Sequence, residues 1–186
     1  MLYPQKNNAK KADYIINIAV IISVFLGIVL VIINNIVTPQ IRWARYCNAG
    51  IIYVWAMVIY ALNRNINTAS QVFFQMIALS ALCIYIDVTT GFKAWSINLA
   101  IPLIVIITNI TMLILSLTSN NYIRYAFFQL LIVITSLVPI FLVYENMIND
   151  KTLSIIATSI SGVNLIISLL FHFKDIKSEL SRRFHL

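Results

Sequence analysis

Charge is what this chain has least of. Of its 186 residues only 10% are Asp, Glu, Lys or Arg, whereas 61% fall in the apolar class. A water-soluble domain carries about 25% charged and roughly 45–50% apolar residues. Thirteen basic and six acidic side chains cannot clothe a surface of that size in water. Disorder is excluded for the opposite reason, because it requires low hydrophobicity. Glycine and proline number four each, too few for collagen-like or low-complexity material. The two cysteines, Cys47 and Cys83, form no Cys-x-x-Cys, so count and spacing exclude a zinc site or redox motif. Reduced thiols are expected, although a disulfide between them is geometrically conceivable.

Catalytic signatures are missing too. The two histidines, His172 and His185, stand at the end of the last apolar run and in the tail. No Gly-x-Ser-x-Gly, His-Glu-x-x-His or phosphate-binding loop occurs. A proton- or ion-coupled pump needs ionisable groups at membrane depth, and no apolar run carries one at its centre. The expectation is therefore neither a pump nor a self-contained enzyme, with no cofactor and no metal. A passive facilitator is left open.

What is present is a series of long charge-free runs, at 14–41, 46–63, 65–86, 94–123, 125–144 and 152–173. Crossing about 30 Å of hydrocarbon takes roughly 20 apolar residues as a helix. Each run can hold one crossing and none can hold two. A β-barrel would alternate apolar and polar residues over about ten positions. Residues 18–33 and 101–107 are instead apolar on every face, which in lipid favours helix despite the abundance of isoleucine. The chain is thus read as all-α, with six transmembrane helices in one bundle near 14–37, 46–63, 69–87, 96–118, 123–144 and 152–173. Thr38-Pro39, the polar 63–67 stretch, Thr90-Gly91, Ser119-Asn120-Asn121 and the 145–151 segment supply the breaks. Pro102 falls in the first turns of its helix, whereas Pro139 is expected to kink the fifth.

A net charge of +7 on a soluble chain would suggest nucleic acid. Position argues for a membrane instead. With the amino end cytoplasmic, nine basic residues fall inside and four outside (Arg42, Arg45, Lys93 and Lys151), in keeping with the positive-inside rule. Both termini are expected in the cytoplasm, with residues 1–13 as an N-terminal segment. The first apolar stretch is too long for a removable signal and reads as a retained anchor. Residues 174–186 read as a basic amphipathic tail, resting on the inner leaflet or docking a cytoplasmic protein.

Two clusters stand out as candidate sites. The first is the turn between the third and fourth helices, with Asp87, Thr90, Gly91, Lys93, Trp95 and Asn98. Its bland reading is an interfacial salt bridge of Asp87 with Arg42, Arg45 or Lys93, flanked by the belt aromatics Tyr85 and Trp95. Its functional reading is a ligand or partner site. The second is a stripe on the sixth helix, formed by Ser154, Thr158, Ser161, Asn164 and Ser168, whose spacings of four, three, three and four place them on one face. Small polar stripes mostly let helices pack closely and bond across the contact. A polar path would present the same residues. Thr108, Asn109 and Thr111 could face that stripe.

The segment Asp87, Thr90-Gly91-Phe92-Lys93, Trp95-Ser96, Asn98 and Ile101-Pro102, with a closing Glu179-Leu180, Arg182-Arg183-Phe184-His185-Leu186, resembles an uncharacterised bacterial membrane family, the domain-of-unknown-function family 6320. The resemblance implies six helices in a bacterial cytoplasmic membrane and supplies no activity. Many members of that family carry an N-terminal zinc ribbon with paired Cys-x-x-Cys; this chain has no cysteine before Cys47, so no metal role carries over. The expected function is a non-enzymatic, multi-pass plasma-membrane subunit or scaffold. Its partners are the lipid bilayer and another membrane or cytoplasmic protein, not nucleic acid, and the oligomeric state is left open. The alternative is a small facilitator or channel along the sixth helix.

Overall fold

The computed structural model of the protein describes residues 6–62, 67–118, 122–144 and 151–171. All regular structure among them is helical. The helices are α1 Lys6–Val37, α2 Ala44–Leu62, α3 Thr68–Thr89, α4 Ile101–Thr118, α5 Tyr122–Tyr144 and α6 Lys151–Phe171. A π-helical turn, Ser96–Ala100, leads into α4. Five stretches, Tyr14–Val37, Ala44–Leu62, Thr68–Thr89, Ser96–Thr118 and Thr152–Phe171, are long and apolar enough to cross a membrane. In α5 the described apolar stretch, Phe127–Pro139, is shorter.

Helix ends follow the local chemistry. α1 stops at Val37, ahead of Pro39, whose ring disfavours helix in the residue before it. It begins earlier than expected, at Lys6, so the helix includes residues ahead of the apolar stretch Tyr14–Val37. Lys and Ala are good helix formers, and no breaker separates Lys6 from the apolar run. α5 is helical on both sides of the buried Pro139. The 63–66 and 145–150 breaks, the 119–121 turn and the 174–186 tail lie outside the described residues.

A single bundle of six was expected, but the contacts divide the chain into two units, Met1–Trp55 and Ala56–Leu186, with the boundary inside α2. In the first unit Asn34, only 4% exposed, ties off the α1–α2 connection. Its amide donates to the carbonyls of Thr38 (2.8 Å) and Ile41 (2.7 Å), and its Oδ1 accepts the Ala44 N–H at 2.9 Å. One side chain thereby bridges two carbonyls of the connection and an N–H at the start of α2. Trp43 Nε1 donates to Thr38 Oγ1 at 2.8 Å, and Trp55 Nε1 to Ser23 Oγ at 2.7 Å.

The second unit has the polarity of a water-soluble fold reversed. Its buried apolar core is small, comprising Ala69, Met76, Val105, Met112, Ile132 and Ala157. Buried with it are Asp87, Ser96, Thr108, Asn109, Ser116, Gln129, Ser136, Ser154, Ser161, Asn164 and Ser168. Ile107, Ile114, Ile134, Val163 and Leu170 are among the large apolar side chains left on the outside. Water would drive that distribution the other way. Hydrocarbon gives no reward for burying leucine, so close packing and polar pairing hold the helices together. α4 is central and packs against α3, α5 and α6, while α3 and α5 also touch. The last turns of α2 belong to this unit, where Tyr60 stacks on Phe74 with ring centroids 4.0 Å apart and its hydroxyl bonds Ser70.

Candidate functional site

The turn after α3 is built from both helix ends inward. Thr89 and Thr90 return their hydroxyls to carbonyls of the last helical turn. The Gly91 N–H then bonds the Val88 carbonyl (3.4 Å) and the Phe92 N–H the Asp87 carbonyl (2.9 Å). This pair of bonds around a left-handed residue is the Schellman ending of a helix. Gly91 provides that conformation, with φ at +102°. A Cβ added there would meet nothing within 4 Å, so substitution carries only the backbone penalty. We expect Gly91→Val to lower the unfolding free energy in detergent by about 1–2 kcal/mol. Gly50→Ala, in open space inside α2, should raise it by about 0.5–1 kcal/mol. Chemical unfolding followed by circular dichroism reads both.

Asp87 sits three residues before that ending, and its side chain reaches forward to the next helix. Oδ1 accepts the Lys93 N–H at 2.9 Å; Oδ2 accepts the Ser96 N–H at 3.1 Å and the Ser96 hydroxyl at 2.7 Å. The residue is 0% exposed. The charge stands at the unfavourable end of its own helix but at the favourable, N-terminal end of the next. Three converging donors supply the polar contacts that a buried carboxylate requires. Here the structure differs from the expected Asp87–Lys93 ion pair. Among the described residues, the partners of Asp87 are all N–H and O–H groups of the turn. Lys93 contributes only its backbone, and its side chain is exposed.

This clasp holds an uncommon backbone. Phe92 (φ 46°) and Ala94 (φ 58°) both adopt the left-handed region, at a cost of about 1–2 kcal/mol each. Such strain persists only where the surroundings impose it, and it clusters at functional sites. The π turn has a local cause. Pro102 lacks an N–H, and in a regular helix its ring would strike the carbonyl of Asn98, four residues back. The widened turn instead pairs the Ile101 N–H with the Ser96 carbonyl. π turns, too, recur at functional sites.

The six residues singled out in this turn therefore divide by role. Asp87 fixes the loop, Gly91 ends α3, and Thr90 caps it. Lys93 presents an exposed side chain, and Trp95 is half-buried where the π turn begins. Asn98 has its Oδ1 buried without a hydrogen-bond partner among the described residues. Sequence reasoning placed Ser96 in the motif but missed it as the principal partner of Asp87. The short polar side chain nine residues on was the only signal.

The stripe on α6 is buried against α4 and α5. Asn109 Nδ2 donates to Ser161 Oγ at 2.6 Å, and Asn164 Nδ2 donates to the Asn109 carbonyl at 2.8 Å. Gln129 Nε2 donates to Asn164 Oδ1 (3.2 Å) and Ser168 Oγ (2.7 Å). Thr158 Oγ1 donates to the Ser136 carbonyl at 2.8 Å, while Ser116 and Ser168 share a hydroxyl contact at 3.4 Å. Ser154 Oγ is buried without a partner among the described residues. Of the α4 residues expected opposite the stripe, Asn109 meets it. Thr108 and Thr111 return their hydroxyls to their own helix and line a shallow cavity against α3 instead. Gln129, Ser136 and Ser116 were missed by the sequence reading. An amide inside an apolar run, as Gln129 is, was the available signal. Cys47 and Cys83 are free thiols.

No curated protein and no solved structure matches the chain. A family does. The turn from Asp87 to Pro102 lies within a match covering residues 3–186, and the chain belongs to the family of unknown function DUF6320.

Proposed function

We propose that this chain is a non-enzymatic, multi-pass protein of a bacterial cytoplasmic membrane, serving as a subunit or scaffold for a partner protein. The observation that carries the reading is the use made of the buried polar groups. Asp87 is closed off by donors of its own turn, and all of the α6 stripe except the Ser154 hydroxyl bonds within its helix or to α4 and α5. Groups engaged in this way hold helices in register and leave little with which to bind or transform a substrate. The strained turn, with Phe92 54% exposed and Lys93 beside it, is a preformed surface for contact. Purification from the native membrane in mild detergent, after in-membrane crosslinking, should yield a second protein in constant ratio. Recovery of this chain alone, from the native and other hosts, would sink the proposal.

A facilitator is the second reading, favoured by one observation. Asn98 Oδ1, in the π turn, and Ser154 Oγ, near the start of α6, are both buried without partners among the described residues, and those two elements pack together. Flux of small neutral polar solutes into vesicles containing the protein, absent in empty vesicles and lowered by Ser154→Leu, would replace the scaffold reading with this one.

A further inference from the structure

Between α3, α5 and the start of α4 runs a cavity of about 320 Å³ that none of the roles above involves. Its wall is apolar, with Met76 and Ile84 from α3, Ile97 and Ile101 at the start of α4, and Val138 and Pro139 from α5. The space exists because α3 offers two small side chains, Ser80 and Ala81, opposite the proline ring of α5. Ile77, Ile84 and Val138 on its rim are exposed, so the cavity opens sideways into the surrounding solvent, which for this bundle is hydrocarbon. It has a direction. From Met76 to Ile84 along α3 is about 12 Å at 1.5 Å per residue. The Ile84 end lies under the Asp87 turn, three residues before Asp87, and Ile97 lies four residues after Lys93.

We infer that this groove holds one acyl chain of an anionic phospholipid, with the lipid phosphate at Lys93. An apolar slot open to hydrocarbon takes a chain in preference to a polar ligand. Beyond that end, in the turn four residues before Ile97, the Lys93 side chain is exposed and has no partner among the described residues. Asp87, the carboxylate of the same turn, already accepts three hydrogen bonds there and does not compete for that cation. The same clasp fixes the Lys93 backbone, so the cation is held at the interface rather than on a mobile loop. Phe92 is exposed beside it. Charge complementarity therefore selects a phosphate headgroup and the groove selects the chain it carries. The inference does not depend on whether the protein is a scaffold or a facilitator.

The test is native mass spectrometry of the full chain in mild detergent, titrated separately with phosphatidylglycerol and phosphatidylcholine. One phosphatidylglycerol should be retained per chain, with about fivefold preference over phosphatidylcholine. Lys93→Gln should bring the two lipids to parity without changing retention of phosphatidylcholine. Ala81→Phe, which fills the groove, should lower retention of both lipids about tenfold; Ser80→Leu is the milder substitution should the first variant misfold. Lipid-free thermal unfolding checks that each variant is folded. An unchanged preference in Lys93→Gln overturns the inference, as does full retention in a folded groove-filling variant. Inorganic phosphate that displaces the lipid while retention ignores Ala81→Phe would show a headgroup site only. A dimer abolished by Ala81→Phe would show a second copy in the groove, and either result overturns the acyl-chain site.

Discussion

Asp87→Ala is expected to lower the unfolding free energy by about 3 kcal/mol or more, the largest effect of any single substitution in the turn. Three donors, the Lys93 and Ser96 N–H groups and the Ser96 hydroxyl, converge on this carboxylate inside the protein. Removing the acceptor leaves them buried and unpaired, at about 1–3 kcal/mol for each group that cannot relax to another partner. Part of the loss returns as Phe92 and Ala94 leave the left-handed region, since nothing then holds them there. Asp87→Asn separates charge from shape. The amide keeps one acceptor oxygen but turns its NH2 toward a donor, so a loss of about 1–3 kcal/mol is expected. Denaturant titration in detergent gives the magnitudes. Reactivity of Phe92→Cys, with and without Asp87→Ala, reports whether the turn has opened. A loss below about 0.5 kcal/mol, the scale of an ordinary surface substitution, would mean that the clasp does not hold the turn.

Asn164→Leu should be the most damaging change inside the helical stripe, at about 2 kcal/mol. Asn164 is the hub between α4 and α5. It donates to the Asn109 carbonyl, accepts from Gln129 and approaches Ser168. Gln129→Leu removes the other side of the same contact and should cost about 1–2 kcal/mol. A double-mutant cycle on the pair should give a coupling of about 0.6–1.7 kcal/mol, the range for side-chain hydrogen bonds between membrane helices. Additivity to within about 0.3 kcal/mol would mean that the two amides stabilise their helices independently.

The helices were legible in the sequence because a membrane imposes one rule that composition exposes. A charge-free run of about twenty residues has to be a helix, and each of the six runs holds one, with described residues 38–41, 67 and 94 lying outside the helices. What was not legible is which polar groups meet. Asp87 was expected to seek a cation, since pairing by charge is the only partner choice a sequence displays. Its actual partners are two backbone N–H groups and the Ser96 hydroxyl, and since every residue but proline has an N–H, no pattern marks the Lys93 backbone beforehand. The same holds for Asn34, whose amide closes the α1–α2 connection through carbonyls of Thr38 and Ile41. The α6 stripe was legible as a face because five residues recur at helical spacing on one element. Its α4 counterpart was legible in Asn109, whereas the α5 side was not, because among the described residues α5 contributes Gln129 and Ser136, two positions without a repeat. The π turn was not read from the sequence, where Pro102 was placed in the first turns of its helix, a position that needs no distortion.

The central claim is that the polar stripe is a dry contact between helices and not a path for water or solutes. It is tested most directly by thiol accessibility in sealed vesicles. Cys47 and Cys83 are first replaced by Ser, and single substitutions Ser161→Cys, Ser168→Cys and Phe92→Cys are then introduced. A membrane-impermeant, water-soluble thiol reagent should modify the exposed position 92 and leave 161 and 168 unmodified when applied from either side, because both serines are buried between helices at 0% and 1% exposure. Modification at 161 and 168 at rates near that of position 92 would show water reaching the stripe, and would contradict the account.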